Sequence, residues 1–502
     1  MALMIYDTRR KQKVIFKPIN PGNVSMYVCG VTVYDLCHLG HARCYVAFDV
    51  VHRWLEASGY DVNYIQNFTD IDDKIINRAN EKGVDFLKLV DENIEAYFED
   101  MDSLNILRAD VYPRCTEYVE QMISIIENLI IKNHAYLSNE GVYFHVESAP
   151  EKYGVLTGQN IDAVLSGAGG RVSKTGEGKR DHKDFALWKL AKPGEPSWDS
   201  PWGEGRPGWH IECTAMSMDH LGEQFDIHGG GHDLRFPHHE AEIFQGECHT
   251  GQSPVVNYWL HNGFVNMDGE KMSKSLGNFW TIRDIISNVN PLVLRFALIN
   301  AQYRSPIDMN EQLLKDASVN HQRLLDSYKL ALDSWAGVTE NELRRLPEPK
   351  LSSSEPLAHS LGLIEKFAEE FALAMDDDFN TRQAVAKIMS IVREINRLLN
   401  SDLDPQDIHA VGFYALELFE QQAGTVLGLL PTREQISVMG EEPEEVSIRK
   451  AEISTQVEDL LIQRVQARTD KNWSEADRIR DKLSEMGVTV TDTPDGPVWD
   501  LF

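Results

Sequence analysis

The segment from Asn23 to Phe68 restricts the fold more than any other part of the chain. NVSMYVCGVTVYD (23–35) is rich in β-formers, the stretch from about 41 to 58 carries apolar residues at 46, 50, 51, 54 and 55 and stops at Gly59, and VNYIQNF (62–68) alternates like a strand. Strand, tight turn, helix and strand in that order form a βαβ unit, so the sheet is parallel and the crossover right-handed. The first strand hands over to the helix at His38-Leu39-Gly40-His41. Unpaired amides and the macrodipole favour an anion there, and the glycine lets a nucleotide approach the backbone. Two imidazoles three residues apart can face that anion or simply cap the helix.

The 502 residues predict roughly three domains at about 150 residues each. The βαβ pattern holds over 1–114 as the first half of a nucleotide-binding sheet. It is interrupted over 115–205, which ends in GEPSWDSPWGEGRPGWHIEC, and strand signals resume at QFDIHGGG (224–231). Residues 115–205 therefore read as an insertion, and 206–305 as the second half of the sheet. From 306 to 438 the texture is amphipathic and helical, with segments at 310–336, 357–375, 382–400 and 406–429, and no strand signal: an all-α bundle. LPEPKLSSSEP (346–356) and MGEEPEEV (439–446) read as linkers. The last section, 439–502, combines helices near 447–470 and 473–486 with a strand pair around VTVTDTPDGPVW.

Composition adds limits. A charged fraction of 25% and a hydrophobic fraction of 42% exclude disordered, collagen-like and coiled-coil chains. The N-terminal stretch lacks the apolar core of a signal peptide, and no run of about 18 residues is free of charge, so a cytoplasmic protein with no membrane span is expected. Six cysteines, at 29, 37, 44, 115, 213 and 248, are too scattered for a disulfide framework and predict thiols or metal ligands. With 78 acidic against 49 basic residues the net charge is -29, so any RNA must be held by local basic patches in a salt-sensitive way.

A second constellation is Lys271-Met272-Ser273-Lys274-Ser275, preceded by Asp268-Gly269 and followed by Gly277. It sets two ammonium groups three residues apart, suited to a leaving pyrophosphate. HLGH and KMSKS in this order resemble the two signatures of the class I aminoacyl-tRNA synthetases. CGVTVYDLCHLGHAR (29–43), TDIDDKI (69–75), GWHIECTAM (208–216), HGGGHDLRFPHHEAEI (228–243) and KMSKSLGN (271–278) narrow the resemblance to the cysteinyl-tRNA synthetases. It continues through MDDDFNT (375–381) to WSEADRIRDKL (473–483) and so spans nearly the whole chain. Leu39 stands where the first signature more often has Ile, His182 where the family usually has Pro, and PDGPVWDLF lacks the basic residues expected around Trp499.

A third constellation is metal-binding. Cys29, Cys213 and the FPHHEAE segment supply thiols, imidazoles and carboxylates, and a helix begun by Pro237 puts His238 and Glu242 four apart on one face. Spacing leaves His239, three before Glu242, open as a ligand or, with Glu240, as a polar group of the helix start. The resemblance selects Cys29, Cys213, His238 and Glu242 for one Zn²⁺. The remaining cysteines read as small buried hydrophobes. No HExxH motif is present to support a zinc hydrolase.

The resemblance implies an α/β fold: a class I synthetase Rossmann-type parallel sheet with an inserted subdomain, then a helical bundle that binds tRNA and a small mixed α/β anticodon-binding domain. It implies a ligase that activates L-cysteine with ATP and Mg²⁺ and transfers it to tRNA-Cys, acting as a monomer, with zinc selecting the thiolate over serine. His38, His41, Lys271 and Lys274 are then the catalytic residues, with His38, Gly40, His41 and Lys274 on ATP. Thr69, Trp209, His228 and Asp233 would line the substrate pocket; Trp209 as core and His228 as a strand-end hydrogen bonder are the structural alternatives. Arg464, Arg468 and Lys471 fall on one helix face as a basic stripe, with Trp473 and Trp499 for stacking or as core. Two rivals remain: a cysteine ligase of the mycothiol type acting on an amino sugar, and an inactive synthetase-like RNA-binding protein.

Overall fold

The structure is a computed structural model that describes residues 2–158, 178–267, 269–271, 280–335, 355–431, 444–469, 472–486, 488–493 and 496–501. It comprises two compact units, Met1–Leu430 and Pro431–Phe502.

At the centre of the first unit is a parallel sheet of four strands: β1 (Asn23–Val28), β2 (Asp61–Gln66), β3 (Phe225–Gly231) and β4 (Val256–Asn262), in the spatial order β4-β3-β1-β2. Helix α1 (Leu39–Ala57) joins β1 to β2, α2 (Ile211–Leu221) precedes β3, and α3 (His238–Thr250) joins β3 to β4. The βαβ unit is where the apolar spacing puts it. The chain leaves β1 and β3 toward opposite flanks of the sheet, opening a crevice beyond their C-terminal ends, which is where doubly wound sheets bind ligands. The strands lie close enough there for the Cys29 amide to donate to the Gly229 carbonyl at 3.1 Å.

The glycines of HGGG have packing reasons. A Cβ on Gly229 would stand 2.2 Å from the Phe48 ring of α1, and one on Gly230 would stand 2.8 Å from the His239 imidazole. The close approach they permit is that of α1 and α3 to the strand.

The inserted segment contains its own antiparallel sheet, Ala135–Ser138, Gly141–Phe144, Phe185–Leu190 and Gly205–Pro207 in that spatial order. Phe144, Leu187 and Trp188 from this sheet share one buried cluster with Tyr27, Ile211, Phe225 and Phe244. The insertion thus completes the core behind α2 and α3.

Long helices follow at Glu311–Trp335, Glu355–Asp376, Thr381–Leu399 and Pro405–Leu418, the last running into a π-helical turn, Phe419–Val426. Helix Thr381–Leu399 shows the amphipathic rule plainly: Ala384, Val385, Ile388, Ile391, Val392 and Ile395 are buried along one face. Asp378 of MDDDFNT is buried and ties this part to the N-terminal hairpin strand Met4–Asp7 and to Arg304, accepting from Tyr6 N at 2.8 Å and Arg304 Nε at 2.7 Å.

A second joint lies under α1. Asp49 and Arg295 form a fully buried ion pair, and Arg53 Nε reaches the same Asp49 oxygen at 2.8 Å. Arg295 also donates to the carbonyls of Leu427, Leu104 and Asn105, and Arg53 to those of Thr425 and Asn105. Burial alone would raise the Asp49 carboxyl, but the two guanidiniums and the Leu107 amide outweigh it and hold it below the usual range.

The second unit packs helices Glu444–Thr469 and Trp473–Glu485 with a hairpin, Val488–Thr493 and Gly496–Leu501, around Val457, Leu460, Leu461, Ile479, Leu483 and Val488. Arg464 is buried and Arg468 exposed, so the two do not form a uniformly exposed stripe. Lys471 and the side chains of Trp473 and Trp499 lie outside the described residues.

Removing one member of a buried ion pair strands the other. Asp49→Ala should therefore lower the stability of the chain by about 3–5 kcal/mol in urea unfolding, whereas Glu370→Ala, which breaks the exposed pair with Lys387, should change it by less than about 0.5 kcal/mol. Because the folded carboxyl is depressed, Asp49's contribution is complete above the ordinary carboxylate range and fades as pH falls through its lower folded value. Equal effects of the two substitutions would contradict the assignment of the joint.

Candidate active site and metal centre

The crevice at the ends of β1 and β3 encloses about 410 Å³, within the range of small-molecule sites. Its lining includes Cys29, His38, Gly40, His41, Thr69, Trp209, Cys213, Asp233 and His238. Residues far apart in the chain thus meet because β1, α1, α2, β3 and α3 all end or begin at this crevice.

The HLGH turn is both a cap and a wall. His38 is the N-cap of α1; its Nδ1 accepts from the His41 amide at 3.3 Å, and His41 Nδ1 accepts from the His38 amide at 3.3 Å. The rings stack with centroids 3.6 Å apart. With both Nδ1 atoms accepting, each neutral ring carries its proton on Nε2 and offers an N–H donor. The capping and anion-facing readings are therefore compatible in one geometry.

Lys271 closes the short strand Glu270–Lys271, which pairs with Val265–Met267. Residues 272–279, with Lys274, lie outside the described residues, as does the Lys271 side chain. The flanks of that run are anchored at the crevice. Val265 lines it, and beyond the run the Trp280 carbonyl accepts from the Leu39 amide at 3.2 Å and the Ile282 amide donates to the Cys37 carbonyl at 3.0 Å.

At the floor, the donor atoms of Cys29, Cys213, His238 and Glu242 lie within 4.8 Å of one another, and all four residues are buried. Cys29 Sγ is 3.6 Å from Cys213 Sγ and 3.9 Å from Glu242 Oε1, and His238 Nε2 is 3.3 Å from that same oxygen. Burial pushes both thiols up and holds His238 well down, in its neutral, ligating form. Thiols so placed ionise only beside a cation, which is what a metal ion provides. The donor set fits a tetrahedral Zn²⁺.

A second set, Cys29, His228, His239 and Glu242, meets the same distance criterion. His239 is fully buried, with Nε2 3.3 Å from Cys29 Sγ. It sits in the first turn of α3 and is buried beneath the crevice. Its Nδ1 lies 2.8 Å from His261 Nε2, and His261 Nδ1 lies 2.8 Å from Thr8 Oγ1. Glu240, in the same turn, is buried and accepts from the Gly154 and Thr157 amides of the inserted segment at 3.0 Å each, so it ties that segment to α3 and does not cap the helix start.

Among the pocket residues implied by resemblance, His228 stands apart. It is buried behind Glu242, with Nε2 2.8 Å from Glu242 Oε2 and its ring stacked on Trp259, and it does not line the crevice. Its position makes it an orienting partner of the carboxylate. His210 does the same for His238, Nδ1 to Nδ1 at 3.0 Å, and burial pushes His210 down to about 3. Trp209 is 37% exposed and stacks on His238 at 4.6 Å, so it is a wall of the crevice and not core. Asp233 is exposed at the mouth.

Thr69 is buried at the edge of the floor, its hydroxyl donating to Glu212 Oε2 at 2.8 Å. Glu212 also accepts from the Cys115 thiol at 2.9 Å, and burial pushes its carboxyl well up. Asn67 accepts from the Gly30 amide at 2.8 Å and lies 3.4 Å from Thr69 Oγ1. Glu212, Asn67, His210 and His261 are site residues that spacing did not single out, because their partners are distant in sequence.

The tRNA synthetases class I (C) catalytic domain matches residues 15–319, a DALR domain matches 370–431, and the cysteinyl-tRNA ligase anticodon binding domain matches 450–499. A cysteine–tRNA ligase from Pelobacter propionicus is 47% identical over 506 residues, covering 100% of both chains. The chain belongs to the cysteine–tRNA ligase family. Another family member, from Chromobacterium violaceum, is 46% identical over 99% of both chains. Among solved structures, Mycobacterium tuberculosis methionyl-tRNA synthetase in complex with methionyl-adenylate superposes with a TM-score of 0.60 at 15% identity, over 83% of this chain and 96% of that one. LeuRS from Agrobacterium radiobacter K84, in a ternary complex with tRNA, gives 0.60 at 11% identity, over 82% and 85%. The class I synthetase fold, a Rossmann-type parallel sheet followed by helices, is therefore this family member's fold. No helix among the described residues is long and apolar enough to cross a membrane.

Cys213 and His238 line the crevice, whereas His228 and His239 do not. Besides the shared Cys29, only the first donor set contributes residues to the crevice lining. His238→Ala should lose bound zinc on metal analysis of the purified protein, and His239→Ala should retain it at about one ion per chain, the stoichiometry of a single four-donor site. The reverse pattern would move the ion to the deeper set.

Proposed function

We propose that this chain activates L-cysteine with ATP to cysteinyl-adenylate and transfers the cysteinyl group to the terminal ribose of tRNA-Cys. The observation that carries this reading is a two-thiol donor set on the floor of the same crevice whose wall is the HLGH turn. The end-to-end similarity to cysteine–tRNA ligases supports it.

In the first step the cysteine carboxylate attacks the α-phosphate and pyrophosphate leaves. Positioning and charge stabilisation carry such transfers. His38 and His41 direct Nε2–H donors at the phosphates beside the N-terminus of α1, where Gly40 leaves room for the nucleotide. Lys274, assisted by Lys271, neutralises the leaving pyrophosphate. Mg²⁺ accompanies the ATP. Trp209 walls the amino-acid site, Asp233 presents a carboxylate at its mouth, and Thr69 presents a hydroxyl whose proton is engaged by Glu212. His228 acts behind the site by orienting Glu242.

Cys29, Cys213, His238 and Glu242 would hold Zn²⁺, which when bound selects sulfur over oxygen and so separates cysteine from serine. An apolar pocket cannot do this, since the two side chains differ by one nearly isosteric atom. Two thiolates and one carboxylate exceed the ion's charge by one, which keeps a substrate thiolate loosely held.

Residues 306–438 bind tRNA and 439–502 read the anticodon; the enzyme works as a cytoplasmic monomer. The match to an anticodon binding domain at 450–499 favours tRNA over an amino-sugar acceptor, and retention of both phosphate motifs argues against an inactive RNA-binding protein.

The test is charging of unfractionated tRNA with labelled cysteine, in which only the cysteine-accepting species should become labelled. Lys274→Ala should slow cysteine-dependent ATP–pyrophosphate exchange by roughly 10²–10³-fold, the usual loss on removing a transition-state donor, with cysteine KM little changed. Equal losses in rate and in cysteine binding would contradict the role of Lys274.

A further inference from the structure

Three of the four donors on the crevice floor have a buried imidazole behind them. His228 backs Glu242 at 2.8 Å and His210 backs His238 at 3.0 Å. His239 Nε2 stands 3.3 Å from Cys29 Sγ. Cys213 is served differently. Its Sγ lies 3.6 Å from Cys29 Sγ and 3.8 Å from Asn67 Oδ1. Neither can donate to a Cys213 thiolate: the first is itself ionised once it ligates a metal, and the second is a carbonyl oxygen already accepting from the Gly30 amide.

The group that can donate is Tyr27. It stands two residues before Cys29, whose amide continues the β1–β3 ladder to the Gly229 carbonyl at 3.1 Å, so both side chains leave the same face of the sheet. Ile211, Cys213 and Met216 of α2 join them there in one buried cluster. The Tyr27 ring is fully buried and nearly perpendicular to that of His228, with centroids 5.2 Å apart. Its hydroxyl reaches no partner at hydrogen-bonding geometry, and the groups around it are the Cys213 and Cys29 thiols and the Glu242 carboxylate. Burial, and then these neighbours, push the phenol well up, so it keeps its proton and remains a donor. Burial also raises the Cys213 thiol, and the Tyr27 hydroxyl is among the groups that pull it back toward the thiolate.

A buried hydroxyl without a partner costs the full loss of its hydration, and such exceptions in native proteins call for an explanation in function. A neutral thiol is a weak acceptor, whereas hydrogen bonds to an ionised acceptor are roughly twice as strong as neutral ones. A phenol set beside a metal-ligating sulfur is therefore satisfied in the state in which that sulfur is ionised.

We propose that Tyr27 is a positioning residue of the metal centre: with zinc bound, its hydroxyl donates to the Cys213 thiolate, takes up part of the negative charge by which the donor set exceeds the ion, and tightens the hold on zinc. This inference rests on the zinc reading proposed above. It gives the two thiolates different partners, an imidazole for Cys29 and a phenol for Cys213.

The experiment uses the full chain and Tyr27→Phe, which keeps the ring against His228 and removes only the oxygen. Zinc affinity is read by competition with a chromophoric chelator, and the metal–sulfur bonds by the sulfur-to-metal charge-transfer band of the Co²⁺-substituted protein. Tyr27→Phe should bind zinc about 10–100-fold more weakly, the usual cost of losing a partner behind a ligand. Its band should move to lower energy, because a thiolate relieved of a hydrogen bond gives up an electron more readily. Without metal the sign reverses: the urea unfolding midpoint of the chelator-stripped variant should equal or exceed the parent's, since the unpartnered oxygen is gone. Parent-like zinc affinity with an unmoved band would overturn the proposal. A lower midpoint for the stripped variant would also overturn it, by making Tyr27 a packing residue. A parent chain that binds no zinc would overturn the zinc reading and this inference with it, whereas a parent that binds zinc no better than Tyr27→Phe would remove the inference alone.

Discussion

Everything in the first unit is arranged around a costly burial: two thiols, an imidazole and a carboxylate held within 4.8 Å of each other under the crevice. Polar groups of this kind lose several kcal/mol each when taken from water without compensation. Hydrogen bonds from the surroundings offset part of that loss. His228 satisfies one Glu242 oxygen, and His210 satisfies the far side of His238. The converging donors suit a cation, and the parallel sheet supplies the place for one, since β1 and β3 deliver Cys29 and the start of α3 to adjacent points.

Other features serve to keep that geometry rigid. Gly229 and Gly230 let α1 and His239 lie against β3, so the HLGH wall and the floor belong to one packed body. The inserted antiparallel sheet seals the back of α2 and α3, excluding water from the helices that carry Cys213, His238 and Glu242. The buried Asp49–Arg295 pair fixes α1 from below and links it to the chain near Leu427, at the end of the helical part. The HLGH wall is thereby tied through α1 to the end of the helical part.

The βαβ unit, the resumption of the sheet at QFDIHGGG and the long helices were legible because each is written in a local period of apolar residues. The boundaries of α1 fell within two residues of the spacing-based range for the same reason. The inserted sheet was not legible: its strands are four, four, six and three residues long, too short for alternation to stand out. At the site, spacing alone could bring His238 and Glu242 together, since they share a helix face, but it left His239 open. That ambiguity is physical, because two donor sets share Cys29 and Glu242, and His238 and His239 approach the same Glu242 oxygen, at 3.3 and 4.0 Å. Glu212 and Asn67 were hidden for another reason. Their partners lie at positions 30, 69 and 115, and no periodicity connects residues on different elements. Arg464 shows the converse error, where a pattern of charges on one face suggested exposure and the helix turned that residue inward.

The two-thiol floor is proposed to hold a zinc ion at which the substrate's sulfur would be recognised. X-ray absorption at the zinc edge tests it directly, on the purified chain alone, with cysteine and with serine. The expected spectrum of the chain alone shows two sulfurs bound to zinc, from Cys29 and Cys213, a third sulfur when cysteine is added, and no change with serine. A shell with one sulfur, or one that cysteine leaves unchanged, would contradict it.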